Sequence, residues 1–173
     1  MFYISILSLI LAAFTFLYVA WNDFRFWKIE NRTVLILIAL FIVHAASAKA
    51  ADGILPLMVD PIFSFLAGTL LFIIGIVLWI FKMFGAGDAK LFFPIGLFLG
   101  WDFILSLSIG LIIFGALILI ILRFPLPTSL SMTFTGMRIE EIRKTQKIPY
   151  GVVMALPTVY LLIVKYAPLW QKI

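Results

Sequence analysis

The chain predicts an all-α, polytopic integral membrane protein of about six transmembrane helices, with both termini on the outer side. Three observations carry that prediction: 65% of its 173 residues are hydrophobic, only 12% are charged, and the apolar residues fall into runs of bilayer length. A soluble globular protein carries about 25% charged residues, so most of this chain belongs in lipid. Spanning the hydrocarbon takes about 20 apolar residues, with roughly 17 to 25 tolerated. The runs at 2–21, 62–81 and 103–124 qualify outright. The run at 33–47 is shorter and broken only by His44, and 150–166 is long enough with Pro157 inside it. Residues 89–100 are too few to cross alone. They predict a short helix that begins within the membrane surface or continues from a sunken loop, where irregular backbone survives only against protein or a wet cavity.

The single long connection, 125–149, opens on Pro125 and Pro127, which stop the preceding helix. From Met137 to Lys147 charged residues alternate with apolar ones, the pattern of an amphipathic helix lying in the interface. Such charge runs are usually solvated faces, and no part in chemistry is expected of it. With no internal repeat or low-complexity tract, residues 1–173 read as one membrane-embedded domain.

Lysine and arginine placement orients the helices. Arg25, Lys28 and Arg32 fall in the first loop, Lys82 and Lys90 in the third, and Arg123, Arg138, Arg143, Lys144 and Lys147 in the fifth. The second loop has Lys49 against Asp52 and Asp60, and the fourth only Asp102. By the positive-inside rule the odd loops face the cytoplasm. The +5 net charge is thus spread over short loops rather than gathered into a patch, and no nucleic acid partner is expected. Zero cysteines remove a disulfide, a thiol nucleophile and thiolate-bound zinc. A single histidine makes a histidine-rich metal site improbable, so neither metal nor cofactor is expected. No positive region precedes the first apolar run, which reads as a retained helix rather than a cleaved signal.

Against this background two acids stand out. Asp88 lies in Gly85-Ala86-Gly87-Asp88-Ala89-Lys90, between apolar segments, and Asp23 ends the first apolar run in Trp21-Asn22-Asp23-Phe24-Arg25. A carboxylate at mid-helix depth costs roughly 2.5 to 3.5 kcal/mol on insertion scales. The orientation above puts both acids on one membrane face. Two converging aspartates cannot both ionise and so share a proton; the charged member can activate water while the neutral one polarises a carbonyl and serves the leaving amine. Gly85 and Gly87 would let the backbone take unusual dihedrals beside an extended substrate, with Asp88 beginning the helix, where free N–H groups and the dipole favour it. The same spacing also fits a plain turn with an N-cap, and Asp23 also fits a simple helix end at the headgroups.

The order of these elements resembles the type IV prepilin peptidases. The segment from Asp23 to Ile29-Glu30-Asn31 is similar to their first motif, an aspartate followed by Ile-Pro-Asn, and Gly85 to Lys90 resembles their Gly-x-Gly-Asp-x-Lys element. Pro149-Tyr150-Gly151 resembles the Pro-Phe/Tyr-Gly element before their last helix. The resemblance implies a membrane aspartic endopeptidase, cutting the basic leader from prepilins or pseudopilins at the cytoplasmic face of the bacterial inner membrane. Asp23 and Asp88 would be catalytic, with Gly85, Gly87, Lys90, Asn31, Pro149 and Gly151 as substrate-binding or motif support. Pilus or secretion assembly machinery would be its wider partner. Glu30 stands where the family has proline, and Asn31 is expected to cap the second helix. The paired-cysteine insert of the methylating members is missing, so the chain resembles the short Flp/Tad-type peptidases and methylation is not assigned to it.

Other residues have plainer readings. Lys90 is expected to reach the headgroups, the other reading being that it lowers an aspartate pKa or steadies the substrate, and His44 to be a hydrogen-bonded core residue. Trp21, Trp79, Trp101 and Trp170 read as interfacial anchors. Gly68, Gly75, Gly96 and Gly100 suggest close helix packing, and Asp52, Asp60 and Asp102 loop or cap positions. Asn22 and Arg25 flank Asp23 and are candidates to orient it. Glu30, Glu140 and Glu141 are candidate partners for a basic leader. The competing functional readings are a presenilin-like intramembrane protease, a proton-coupled transporter, and a non-catalytic subunit of a secretion assembly.

Overall fold

The computed structural model describes residues 1–51, 59–124, 133–145 and 147–170. Among these the chain is helical: α1 (Phe2–Phe26), α2 (Asn31–Lys49), α3 (Pro61–Ile80), α4 (Ala86–Leu99), a 3-10 turn (Trp101–Phe103), α5 (Ile104–Arg123), α6 (Phe134–Thr145) and α7 (Tyr150–Trp170). Five helices are long and apolar enough to cross a bilayer, namely α1, α2, α3, α5 with its preceding turn, and α7. The short α4 is the remaining helix of the six expected. Asp52, Pro125, Pro127 and the side chain of Trp170 lie outside what is described.

Local chemistry fixes the ends. Helix α1 runs past Trp21 because the polar side chains that follow find partners: the Asn22 amide donates to the Lys28 carbonyl at 2.8 Å. It stops at Trp27, which takes the left-handed conformation at φ 56°. Helix α3 begins as the sequence suggests, with Asp60 accepting from the Ile62 and Phe63 amides at 2.9 and 3.2 Å and Pro61 in the first turn. Asn31 does not cap α2. It is the first helical residue, Glu30 occupies the extended N-cap position, and the Asn31 side chain instead accepts from Lys90 Nζ at 3.1 Å. Gly100, at φ 73°, ends α4, and Lys165 Nζ closes that end by donating to the Phe98 and Leu99 carbonyls at 3.0 and 2.9 Å.

Helix α4 is the centre of the bundle. Leu91, Ile95 and Phe98 are fully buried, and α2, α3 and α7 pack around it. Helix α1 lies between α2 and α7, and α5 lies on the outer flank of α7, with only Leu107 buried. The expected glycine packing is present between α3 and α4. A Cβ on Gly96 would stand 2.5 Å from Gly68 Cα, and one on Gly75 would stand 2.9 Å from Ala89 Cα. At the end away from Asp23, His44 is fully buried: Nδ1 lies 2.7 Å from Ser5 Oγ, Nε2 lies 2.9 Å from Tyr166 Oη, and the ring stacks on Phe98. It pins α1, α2 and α7 together as a core histidine. Trp21, Trp79 and Trp101 are exposed near helix ends, as anchors are.

Because the atoms facing Gly96 are backbone, Gly96→Ala must push α3 and α4 apart. The expected cost is roughly 1–3 kcal/mol, read as a lower thermal unfolding midpoint in detergent. Gly115→Ala, whose Cβ would meet nothing nearer than 3.8 Å, should hold or raise that midpoint.

Candidate active site

The site forms where the C-terminal end of α1 meets the N-terminal ends of α4 and α7. Asp23 sits in the last turn of α1 and is only 6% exposed. Its Oδ2 accepts the Gly151 amide at 2.8 Å. That amide is free for a local reason. The Pro149 carbonyl takes the first helical bonds of α7, from Val152 and Val153, so the amide of Gly151 has no partner within the helix. Glycine is required here by space. A Cβ at position 151 would lie 2.8 Å from Asp23 Cβ and 2.9 Å from both Cγ and Oδ2. Pro149-Tyr150-Gly151 is therefore a socket for the first acid.

Asp88 occupies the third position of α4, and its Oδ2 accepts the Gly85 amide at 3.0 Å. This corrects the expectation that Asp88 begins the helix, which starts at Ala86 with Gly85 as N-cap. The glycines also work differently from expectation. Gly85 has ordinary extended backbone at φ −73°, and Gly87 is not among the described residues with positive φ. What they supply is room: a Cβ on Gly85 would lie 2.9 Å from Asp88 Oδ2, and one on Gly87 3.1 Å from Ile29 Cβ. The Phe84 ring covers this corner, 4.5 Å from the Tyr150 ring centroid and 5.8 Å from that of Phe92.

Asp88 lies within the electrostatic reach of Asp23. Asp88, at the mouth of a helix too short to span, has its carboxyl pushed up to about 6, chiefly by burial and next by the charge of Asp23. The Gly85 amide opposes that shift. Lys90 is exposed and bonded to Asn31, tying α4 to α2. Asn22 braces the turn after α1 rather than the carboxylate, and Arg25 lies over the Phe26 ring at 5.0 Å.

Sequence reasoning missed Arg138. Helix α6 was expected to be a solvated surface element, yet Arg138 is 9% exposed. Its Nε donates to the Phe24 carbonyl at 2.7 Å, its guanidinium lies over the Trp27 ring at 4.7 Å, and Nη1 pairs with Glu141. It stands within electrostatic reach of Asp23. The available clue was spacing: Arg138 precedes Ile142 by one helical turn, and Ile142 is 2% exposed on the same docked face.

Chemically, the arrangement offers two carboxyls from distant parts of the chain, one of them poised to hold a proton near neutral pH. Such a pair supports general acid–base catalysis. The buried histidine takes no part, since Ser5, its partner, lies about 27 Å from Asp23 along α1 at 1.5 Å per residue.

A carboxyl raised by folding binds protons more tightly in the folded state than in the unfolded one, so stability falls as pH rises through that window. Asp88→Asn should therefore unfold at a higher temperature than wild type above pH 6, with the gap closing toward pH 4. Thermal unfolding in detergent across that range measures it.

The model of the type IV leader peptidase family matches residues 9–120, a stretch that contains both Asp23 and Asp88. No curated protein and no solved structure matches the chain. With most of its length matched and five candidate spans, the chain belongs to the type IV leader peptidase family and is a multi-pass membrane peptidase.

Proposed function

We propose that the chain is an aspartic endopeptidase that removes the basic leader from Flp-type prepilins or pseudopilins at the cytoplasmic face of the bacterial inner membrane. The observation that carries this reading is that Asp23 and Asp88 are each held by a backbone amide, with the charge of Asp23 reaching the Asp88 carboxyl. In the mechanism, the ionised carboxylate takes a proton from water as the water attacks the scissile carbonyl. The protonated carboxyl donates to that carbonyl oxygen, and the proton gained from water passes to the leaving amine. The elements around the site carry Arg25, Lys28, Arg32, Lys82, Lys90 and Arg138, and the positive-inside rule turns that end toward the cytoplasm.

The substrate would be an apolar helix with a positively charged leader. An apolar cavity beside the first acid, lined by Phe24, Ile139, Ile142, Pro149 and Val152, favours an apolar segment next to the cut bond. A polar cleft of about 410 Å³ runs along Lys28, Ile29, Glu30, Asn31 and Arg32. Glu30 there, with Glu140 and Glu141 on α6, would meet the leader's charges. Pilus or secretion machinery would act downstream of the cleavage.

The test is co-expression with an Flp-type prepilin, reading the products by mass spectrometry. Asp23→Asn and Asp88→Asn should stay inserted and lose cleavage by about 100- to 10,000-fold; normal processing by Asp88→Ala overturns the reading. Gly151→Ala displaces Asp23 and should cost about 100-fold in rate with the protein still inserted. Wild-type rate in Gly151→Ala would remove the socket from the mechanism.

A further inference from the structure

The proposed reaction needs one carboxyl charged and the other carrying the proton, but two aspartates alone are interchangeable. Their surroundings are not. Asp23 sits at the C-terminal end of α1, the negative pole of that helix and an unfavourable place for a carboxylate. Asp88 sits in the first turn of α4, at the positive pole. Left to the helices, the charge would settle on Asp88. What changes the balance is a guanidinium that α6 inserts at the end of α1.

We infer that Arg138 is a positioning residue of the reaction, which closes the C-terminal end of α1 and keeps Asp23 the charged member of the pair while Asp88 carries the proton. The inference rests on the acid–base role proposed above for the two aspartates, and it concerns a residue beyond the stretch that matches the family. Its first support is contact. Nε takes up the Phe24 carbonyl, one of those left free at the end of α1, and so places positive charge on the negative pole one residue from Asp23. Its second support is incomplete neutralisation. The Arg138 side chain is 10% exposed, but that of its partner Glu141 is 53% exposed and screened by water. Nη2 is buried with no hydrogen-bond partner among the described residues. A buried guanidinium with charge to spare is costly unless an anion stands close by. Asp23 is the buried carboxylate within its reach.

Among the described residues, the groups that act on Asp23 or on its near neighbours are these. Helix α4 brings Asp88, α6 brings Arg138 and behind it Glu141, and α7 brings the Gly151 amide. On the side of α2, Asn31 is engaged by Lys90. Removing the positive charge therefore acts on the pair directly.

The experiment is the pH profile of kcat/KM for purified protein in detergent, with an intact prepilin substrate. In Arg138→Gln the acid limb should move up by about one pH unit, so the rate on the acid side falls about tenfold, through kcat rather than KM. Arg138→Lys keeps the charge and should keep the limb near its wild-type position. Glu141→Gln, at a half-exposed site that folding should tolerate, leaves Arg138 less neutralised and should move the limb down by roughly a few tenths of a unit. A role in helix docking alone would lower the unfolding midpoint and leave the limb in place. An unmoved limb in folded Arg138→Gln overturns the inference, as does an unmoved or raised limb in Glu141→Gln, which serves even if Arg138→Gln does not fold. Loss of cleavage in Asp88→Ala beside an unmoved limb defeats this inference alone. Cleavage by Asp88→Ala defeats the proposed function as well.

Discussion

Fourteen helical residues reach about 21 Å, while the hydrocarbon of a bilayer is about 30 Å thick. This chain keeps a helix of that length, α4, at its centre. One end of such a helix falls short of the far surface, and its free backbone groups are tolerable only inside protein or beside water. The rest of the bundle answers that constraint. Gly68, Gly75 and Gly96 let α3 lie against α4 at backbone distance, α2 and α7 cover its other sides, and Lys165 closes its C-terminal carbonyls. The N-terminal end is left open toward the candidate site. There the free amides and the positive pole receive Asp88, half-buried and within the electrostatic reach of Asp23.

The opposite acid is held by a complementary device. Asp23 stands on the wrong pole of its own helix, and two neighbours correct for it. Gly151 gives a backbone amide that α7 leaves unused, and Arg138 brings charge to the end of α1. Neither neighbour is close to Asp23 in sequence. The site is a junction of three helix ends, each contributing the backbone groups that helices leave unpaired. Through that economy a chain with no cysteine and one sequestered histidine holds two carboxyls at the junction.

Much of this was legible in the sequence because lipid is an unforgiving solvent. Apolar runs of bilayer length can hardly be anything but helices, and a carboxylate at their edge calls for a reason, so Asp23 and Asp88 stood out. His44 in an apolar helix read correctly as a satisfied core residue, and Asp60 as a cap. The failures share a cause. Asn31 was expected to cap α2, and Gly85 and Gly87 to adopt unusual dihedrals, because those are the local uses of such residues. The structure uses Asn31 as an acceptor for Lys90 and Gly87 as clearance for Ile29, both tertiary uses, while Gly85 gives clearance to Asp88 within its own first turn. Arg138 was hidden for the same reason. On an isolated amphipathic helix it is one charge among several, and only the docking of α6 against Trp27 and the Phe24 carbonyl singles it out.

The central claim is that two carboxyls meet at this junction and hold one proton between them. Its most direct test is a carbon-13 NMR titration of the aspartate carboxyls in detergent-solubilised protein, with Asp88 assigned by substitution. The account expects the Asp88 carboxyl to titrate near pH 6 and to move toward the ordinary carboxylate range when Asp23 is replaced by asparagine. An Asp88 signal that titrates in the ordinary range from the start, indifferent to residue 23, would contradict it.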